Sequence, residues 1–261
     1  MPRTLDTAAH DAYEALAPAY DALTADYAHG PWVARIVALA REHGLRGRRA
    51  VDLACGTGRS SAPLLDLGFA LTAADASPAM ARLAEDRLGP GADVHVADLR
   101  ALPDLGPFDL ATCLCDSVNY LTEEEDLAAA LAGIAGILAP GGLLAFDVNT
   151  LVNHRAGFSA SWEADLGEAE VAWRGEGDPD LEPGGLTRAV VEVRRPGHAP
   201  AVGEHVQRNW PLAVLAAQLA EAGLPLLAVR GQWPGAVLDL EADELRHPKL
   251  LLLARREGGV A

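Results

Sequence analysis

The residues best equipped for chemistry in this 261-residue chain begin at Arg49–Arg59, RAVDLACGTGR, and continue as a series of aspartates. A short apolar run (Ala50, Val51, Leu53) carries an acid at Asp52 and breaks into Gly56-Thr57-Gly58 before a helix-like segment. Glycine has no Cβ, so a ligand can approach such a turn closely, and the free N–H groups of the helix start face whatever sits there. Asp75 stands 19 residues after Gly56, the spacing at which a strand–helix–strand unit delivers a carboxylate to a ribose. A carboxylate suits two ribose hydroxyls because it accepts two hydrogen bonds at once. For Asp52 the alternative is a cap on nearby turn amides. Asp98 has the same alternative, capping its own turn.

The elements that must position these residues follow from periodicity. Helical spacing runs over 8–23 and 31–43, with Pro31 suited to a first helical position. Strands are expected at 50–53, 69–74, 94–96, 108–115 and LLAFDVN, with intervening helices at 60–67, 78–88 and 123–138. Ser77-Pro78 reads as an N-cap followed by a first-turn proline, and Thr122–Glu125 as a capping box. Near-continuous apolar strands separated by helices indicate an α/β fold, a Rossmann-like doubly wound sheet. The pattern changes after Thr150. SWEADL, EVAWRGE, LTRAVVEVRR and HVQRNW alternate and are separated by turn-formers, which reads as an inserted antiparallel β region. A helix at 211–222 and the runs LPLLAVRG and KLLLLARR then complete a seven-stranded sheet. The expected organisation is 1–150 for N-terminal helices and the cofactor-binding core, 151–210 for the hairpins, and 211–261 for the last helix and strands.

Composition excludes several classes. The net charge of −16 argues against nucleic acid, whose phosphates demand a basic face. No stretch reaches the length of a membrane span, and the first residues lack the apolar core of a signal peptide, so a cytoplasmic protein is expected. Cys55, Cys113 and Cys115 are an odd count without framework spacing, as reduced thiols are. Lys249 is the only lysine, hence the one candidate for lysine chemistry.

Taken together, VDLACGTG, Asp75, Asp98-Leu99, FDLATCLCDSVNYL and LAPGGLLAFDVNT resemble class I S-adenosylmethionine-dependent methyltransferases over residues 8–150, and residues 205–229 are similar to the last helix and strands of that family. The likeness is to small-molecule enzymes, including bacterial N-methyltransferases of sugar-amine and antibiotic pathways. It implies methyl transfer to an amine, electron-rich carbon or hydroxyl, in secondary metabolism, by a monomer or homodimer. It also implies a donor site. The glycine turn (Asp52, Ala54, Gly56, Gly58) lies under the methionine part, Asp75 with Ala76 and Met80 lies at the ribose, Asp98 with Leu99 at the adenine, and Cys115 beside the methyl group. Ala54 departs from the family, where a first glycine is common.

Alternatives are a non-catalytic cofactor-binding protein and a nicotinamide oxidoreductase. The latter would want a third turn glycine, where Ser61 stands, and a Tyr-x-x-x-Lys pair, which Leu245 and Lys249 do not make. Open parallel sheets bind ligands beyond the carboxyl ends of their strands. That places Asp116, Ser117, Asn119, Tyr120, Asp147 and Asn149 near the acceptor. Asp116 is the first candidate for a base or polar contact, with capping of its loop as the alternative. Tyr20 and His154 complete the catalytic set, and Tyr13, Tyr20, Tyr27 and Trp32 are either lid aromatics or core. Asp116, Asp147 and Asn149 partly resemble the magnesium site of catechol-type O-methyltransferases, but Asp-Val-Asn replaces adjacent Asp-Asn, so no metal is expected.

Overall fold

The run Arg49–Leu53 folds as β1, a central strand whose side chains alternate between two cores. Val51 and Leu53 enter one core and Ala50 the other. A computed structural model describes residues 7–258. Two helices precede β1, α1 at Thr7–Leu23 and α2 at His29–Glu42. After it come α3 (Ala62–Asp66), β2 (Ala70–Asp75), α4 (Pro78–Leu88), β3 (Ala92–Val96), β4 (Phe108–Cys113), α5 (Glu124–Ile137) and β5 (Leu138–Asn149). The chain continues through α6 (Leu151–Gly157), β6 (Ser161–Asp165), β7 (Glu170–Gly175), β8 (Leu186–Arg194), β9 (Ala201–Arg208), α7 (Leu212–Glu221), β10 (Leu226–Trp233), β11 (Val237–Asp239) and β12 (Lys249–Arg255).

The larger sheet has the order β11-β10-β12-β5-β4-β1-β2-β3. Its pairs from β3 to β5 are parallel and those from β5 to β11 antiparallel. The eighth strand beyond the expected seven is β11, a three-residue edge too short to show a period. Helices cover both faces, which is why β12 reads as unbroken leucine: Leu250 and Leu252 enter one core, Leu251 and Leu253 the other. Each leucine so buried stabilises the fold by roughly 1.5–3 kcal/mol. Strand order reverses between β1 and β4, and the crevice of an open α/β sheet lies at such a reversal.

Strands β6–β9 form a separate antiparallel sheet. Its apolar face (Val171, Val191, Val193) packs on Ala12, Leu16 and Ala19 of α1. One local expectation is corrected and one element is new. The residue capping α5 is Glu123, not Thr122, with no side-chain cap bond, and the carbonyl of Thr122 accepts from the Arg208 guanidinium. Helix α6, too short for a periodic signature, precedes the hairpins and is capped by Thr150, whose hydroxyl accepts from Val152 N–H.

Close approach of α1 requires Gly203 on β9, where a Cβ would lie 2.1 Å from the Cα of Ala12. Gly203→Val should therefore lift α1 from the sheet and lower stability by about 1–3 kcal/mol, read as a fall in the denaturant midpoint; an unchanged midpoint would disprove the contact.

Candidate active site

The turn after β1 carries left-handed residues at Ala54, Gly56 and Gly58, with φ of 52°, 55° and 79°. Alanine pays roughly 1–2 kcal/mol for that conformation. The two glycines differ in purpose. A Cβ on Gly56 would lie 3.8 Å from the Tyr20 ring, an ordinary contact, whereas one on Gly58 would lie 3.2 Å from the Cα of Ala84 on α4. Gly56 opens the turn to a cleft, and Gly58 lets α4 pack behind it. Asp52 sits beneath, 1% exposed. It accepts from the hydroxyls of Ser60 (3.0 Å), Ser61 (2.6 Å) and Thr112 (2.7 Å). Burial pushes its pKa up against these bonds.

The cleft encloses about 1120 Å3, open solvent included, above the carboxyl ends of β1, β2 and β4. Ala54, Gly56, Asp75, Ala76, Asp98, Leu99, Cys115 and Tyr20 are on its wall. Asp52, Gly58, Met80, Asp116 and His154 are not on that wall. Met80 is fully buried in the core.

At the end of β2, Asp75 accepts the N–H of Gly56 at 2.7 Å on one oxygen and that of Ser77 at 2.9 Å on the other. Burial raises its pKa, the two backbone bonds oppose, and Asp52 and Glu14 add to the rise. Ser77 caps α4 by accepting Met80 N–H, as its sequence position indicated, and donates its own hydroxyl to Glu14 of α1 at 2.6 Å. The same Glu14 oxygen accepts Ala79 N–H at 2.8 Å. Farther along α1, Asp21 accepts from the Thr57 hydroxyl at 2.6 Å and pairs with Arg87. Helix α1 is thereby fastened over the turn, with Tyr13 and Tyr20 on the cleft wall.

Asp98, after β3, caps a short turn and is gripped by Arg100 through Nε at 3.0 Å and a terminal nitrogen at 2.8 Å. Burial works against its ionised form, but the Arg100 bonds and charge win and hold its pKa below the ordinary value. Beyond β4, Leu114, Cys115, Ser117, Tyr120 and Leu121 close the cleft. Burial pushes the Cys115 thiol up to about 12, so it stays protonated at neutral pH. Asp116, beside it, accepts from Lys249 Nζ at 2.6 Å and from Gln207 Nε2 at 2.6 Å. Lys249 also donates to Asp147 at 2.8 Å. The cation these two carboxylates share is thus an ammonium. Among the described residues no His/Cys/Asp/Glu group is arranged to hold a metal ion, and no helix is long and apolar enough to cross a membrane.

His154 is fully buried, with Nδ1 on the Thr187 hydroxyl at 2.9 Å and Nε2 3.4 Å from Asn119. Burial lowers its pKa to about 4. It joins α6 to β8 instead of facing the cleft. His205 takes the place nearer the cleft: its Nδ1 lies 2.7 Å from the Tyr120 hydroxyl, which accepts from Tyr13 at 3.1 Å. Arg208 points elsewhere, onto the carbonyls of Thr122 and Gly184, as their three-residue separation in a strand requires. The sequence reading missed His29, Ser60 and Arg100 on the cleft wall. Only Arg100, two residues from Asp98, left a local signal.

Residues 50–142 match the family described as a methyltransferase domain. A putative methyltransferase of Bacillus subtilis, YqeM, is 32% identical over 159 residues, 60% of this chain and 63% of that protein. A dTDP-4-amino-2,3,4,6-tetradeoxy-D-glucose N,N-dimethyltransferase of Saccharopolyspora spinosa is 34% identical over 109 residues, 41% of this chain and 43% of its own. The chain thus spans less than two thirds of the length of these relatives. Along nearly its whole length it superposes on an S-adenosylmethionine-dependent methyltransferase of Clostridium acetobutylicum, with TM-score 0.78, 23% identity, and coverage of 94% of this chain and 99% of that one. Residues 50–142 of this chain are thus similar to a methyltransferase domain, and the chain has the fold of S-adenosylmethionine-dependent methyltransferases.

Proposed function

We propose that this protein transfers a methyl group from S-adenosylmethionine to an amino group of a small molecule in the cytoplasm, where its three free thiols suit a reducing compartment. The observation that carries the reading is the Asp75 carboxylate, held on the N–H groups of Gly56 and Ser77 at the cleft wall. Each of its oxygens has spent one acceptor site on the backbone and keeps capacity for a ribose hydroxyl. The residues fit such a donor on their own geometry. A side chain at Gly56 would reach toward Tyr20 across the cleft, and Asp98 with Leu99 supplies polar and apolar contact for a base. When bound, S-adenosylmethionine supplies a methyl group activated by an adjacent sulfonium.

The protein's part is placement. An amine with a free lone pair needs orientation more than a base. Tyr13, Tyr20 and Tyr120 line the cleft, and burial holds all three above their ordinary pKa, so each keeps its phenolic proton. They offer neutral hydroxyls and ring faces, and aromatic faces attract cationic nitrogen. Asp116, close to this group, adds negative potential that favours an amine. The relative named for N,N-dimethylation of an amino sugar supports the same acceptor chemistry. On this reading the 151–210 region shapes the acceptor end, because His205 meets Tyr120 from β9.

Two outcomes test the donor site. Asp75→Ala should weaken S-adenosylhomocysteine binding by about 10- to 100-fold in calorimetry, the cost of hydrogen bonds to a charged acceptor; unchanged affinity would sink the assignment. Because burial raises the pKa of Asp75, the carboxylate gains its proton at a higher pH than an ordinary aspartate. Donor affinity should therefore fall on acidification, and do so before the ordinary carboxylate range is reached. Asp75→Asn should flatten that titration. Incubation with methyl-labelled donor and a panel of amino sugars, amino acids and peptide N-termini tests the acceptor. Label is expected on nitrogen; binding without transfer to any amine, carbon or hydroxyl acceptor would mark a binding protein.

A further inference from the structure

Cys115 and Asp116 are consecutive left-handed residues, with φ of 59° and 55°, and neither is glycine. Backbone held this way persists only where the surroundings over-determine it. The wall residues Cys115 and Ser117 flank Asp116, so the direction of the chain through this pair decides where the wall stands.

We propose that Lys249 is a positioning residue for the donor cleft: its ammonium, held between Asp116 and Asp147, keeps the Cys115–Asp116 pair left-handed and so sets the wall made by Cys115 and Ser117. The inference rests on the reading of the cleft as a donor site. Lys249 opens β12, which pairs with β5, and Asp147 lies on β5 beside β4. One ammonium therefore pins the loop leaving β4 to the two strands next to it, at 2.6 Å from Asp116 and 2.8 Å from Asp147. The Lys249 side chain is 16% exposed and that of Asp147 fully buried. Burial works against the ammonium, yet the two carboxylates hold its proton more firmly than water would. The second oxygen of Asp116 accepts Gln207 Nε2 at 2.6 Å. With both oxygens engaged, the side chain cannot turn without breaking a charged bond, and its Cβ fixes the backbone beneath it.

A lysine that merely neutralised two carboxylates would leave the same contacts, so the test separates charge from backbone conformation. Two double variants, Lys249→Met with Asp116→Ala and Lys249→Met with Asp116→Gly, carry identical charge and both lose the Gln207 contact. They differ in one methyl group, and glycine alone holds a left-handed φ unaided. Lys249→Met and the alanine double variant should bind S-adenosylhomocysteine at least about tenfold more weakly than wild type, and the glycine double variant should recover to within about threefold. Iodoacetamide should alkylate Cys115 at least about threefold faster in the alanine than in the glycine double variant, and the glycine one should have the higher denaturant midpoint. Equal behaviour of the two doubles, or unchanged binding in Lys249→Met, overturns the proposal. If the wild-type protein does not bind S-adenosylhomocysteine, the donor-site reading falls, and the alkylation and denaturation comparison still decides what Lys249 does.

Discussion

The carboxylate of Asp75 ties the end of β2 to the turn after β1 and to the start of α4. A carboxylate is the one side chain that accepts from two backbone N–H groups while keeping acceptor capacity for a ligand. Its position converts two neighbouring strand ends into one concave surface. The rest of the site is arranged around that surface. Asp52 secures the turn from below through three hydroxyls, α1 closes it from above through Glu14 and Asp21, and the loop after β4 forms the facing wall.

The two halves of the cleft use charge differently. Beyond β3, Asp98 is paired with Arg100, two residues away, which also faces Asp126. On the opposite side, Asp116 and Asp147 share a single ammonium, which leaves one negative charge beside three protonated tyrosines.

The half of the cleft around Asp75 was legible in sequence because its determinants are local. A strand, a glycine turn and an acid 19 residues later constrain one another through a single strand–helix–strand unit. The alternating strands of 161–208 were equally plain, since one buried face imposes a period of two. The sequence reading went astray where partners are distant in the chain. Asp116 meets Gln207 and Lys249 across 91 and 133 residues, and no spacing rule connects them. Asp52 shows the complementary limit. A strand acid before a glycine turn is conspicuous, but which way its oxygens face depends on Thr112 from β4. His154 likewise has partners far off in the chain, Thr187 and Asn119, which its own surroundings in the sequence do not announce.

The junction between the two sheets is made of hydrogen bonds. Asn149 donates to Gln207, Asn119 donates to the carbonyl of Arg208 and accepts from Asn149 N–H, and His154 meets Thr187. Apolar contacts are non-directional, but a fully paired polar network specifies a single alignment. The smaller sheet is therefore locked to the larger one like a key in its wards. The residues it presents to the cleft, His205 among them, thus hold their bearing.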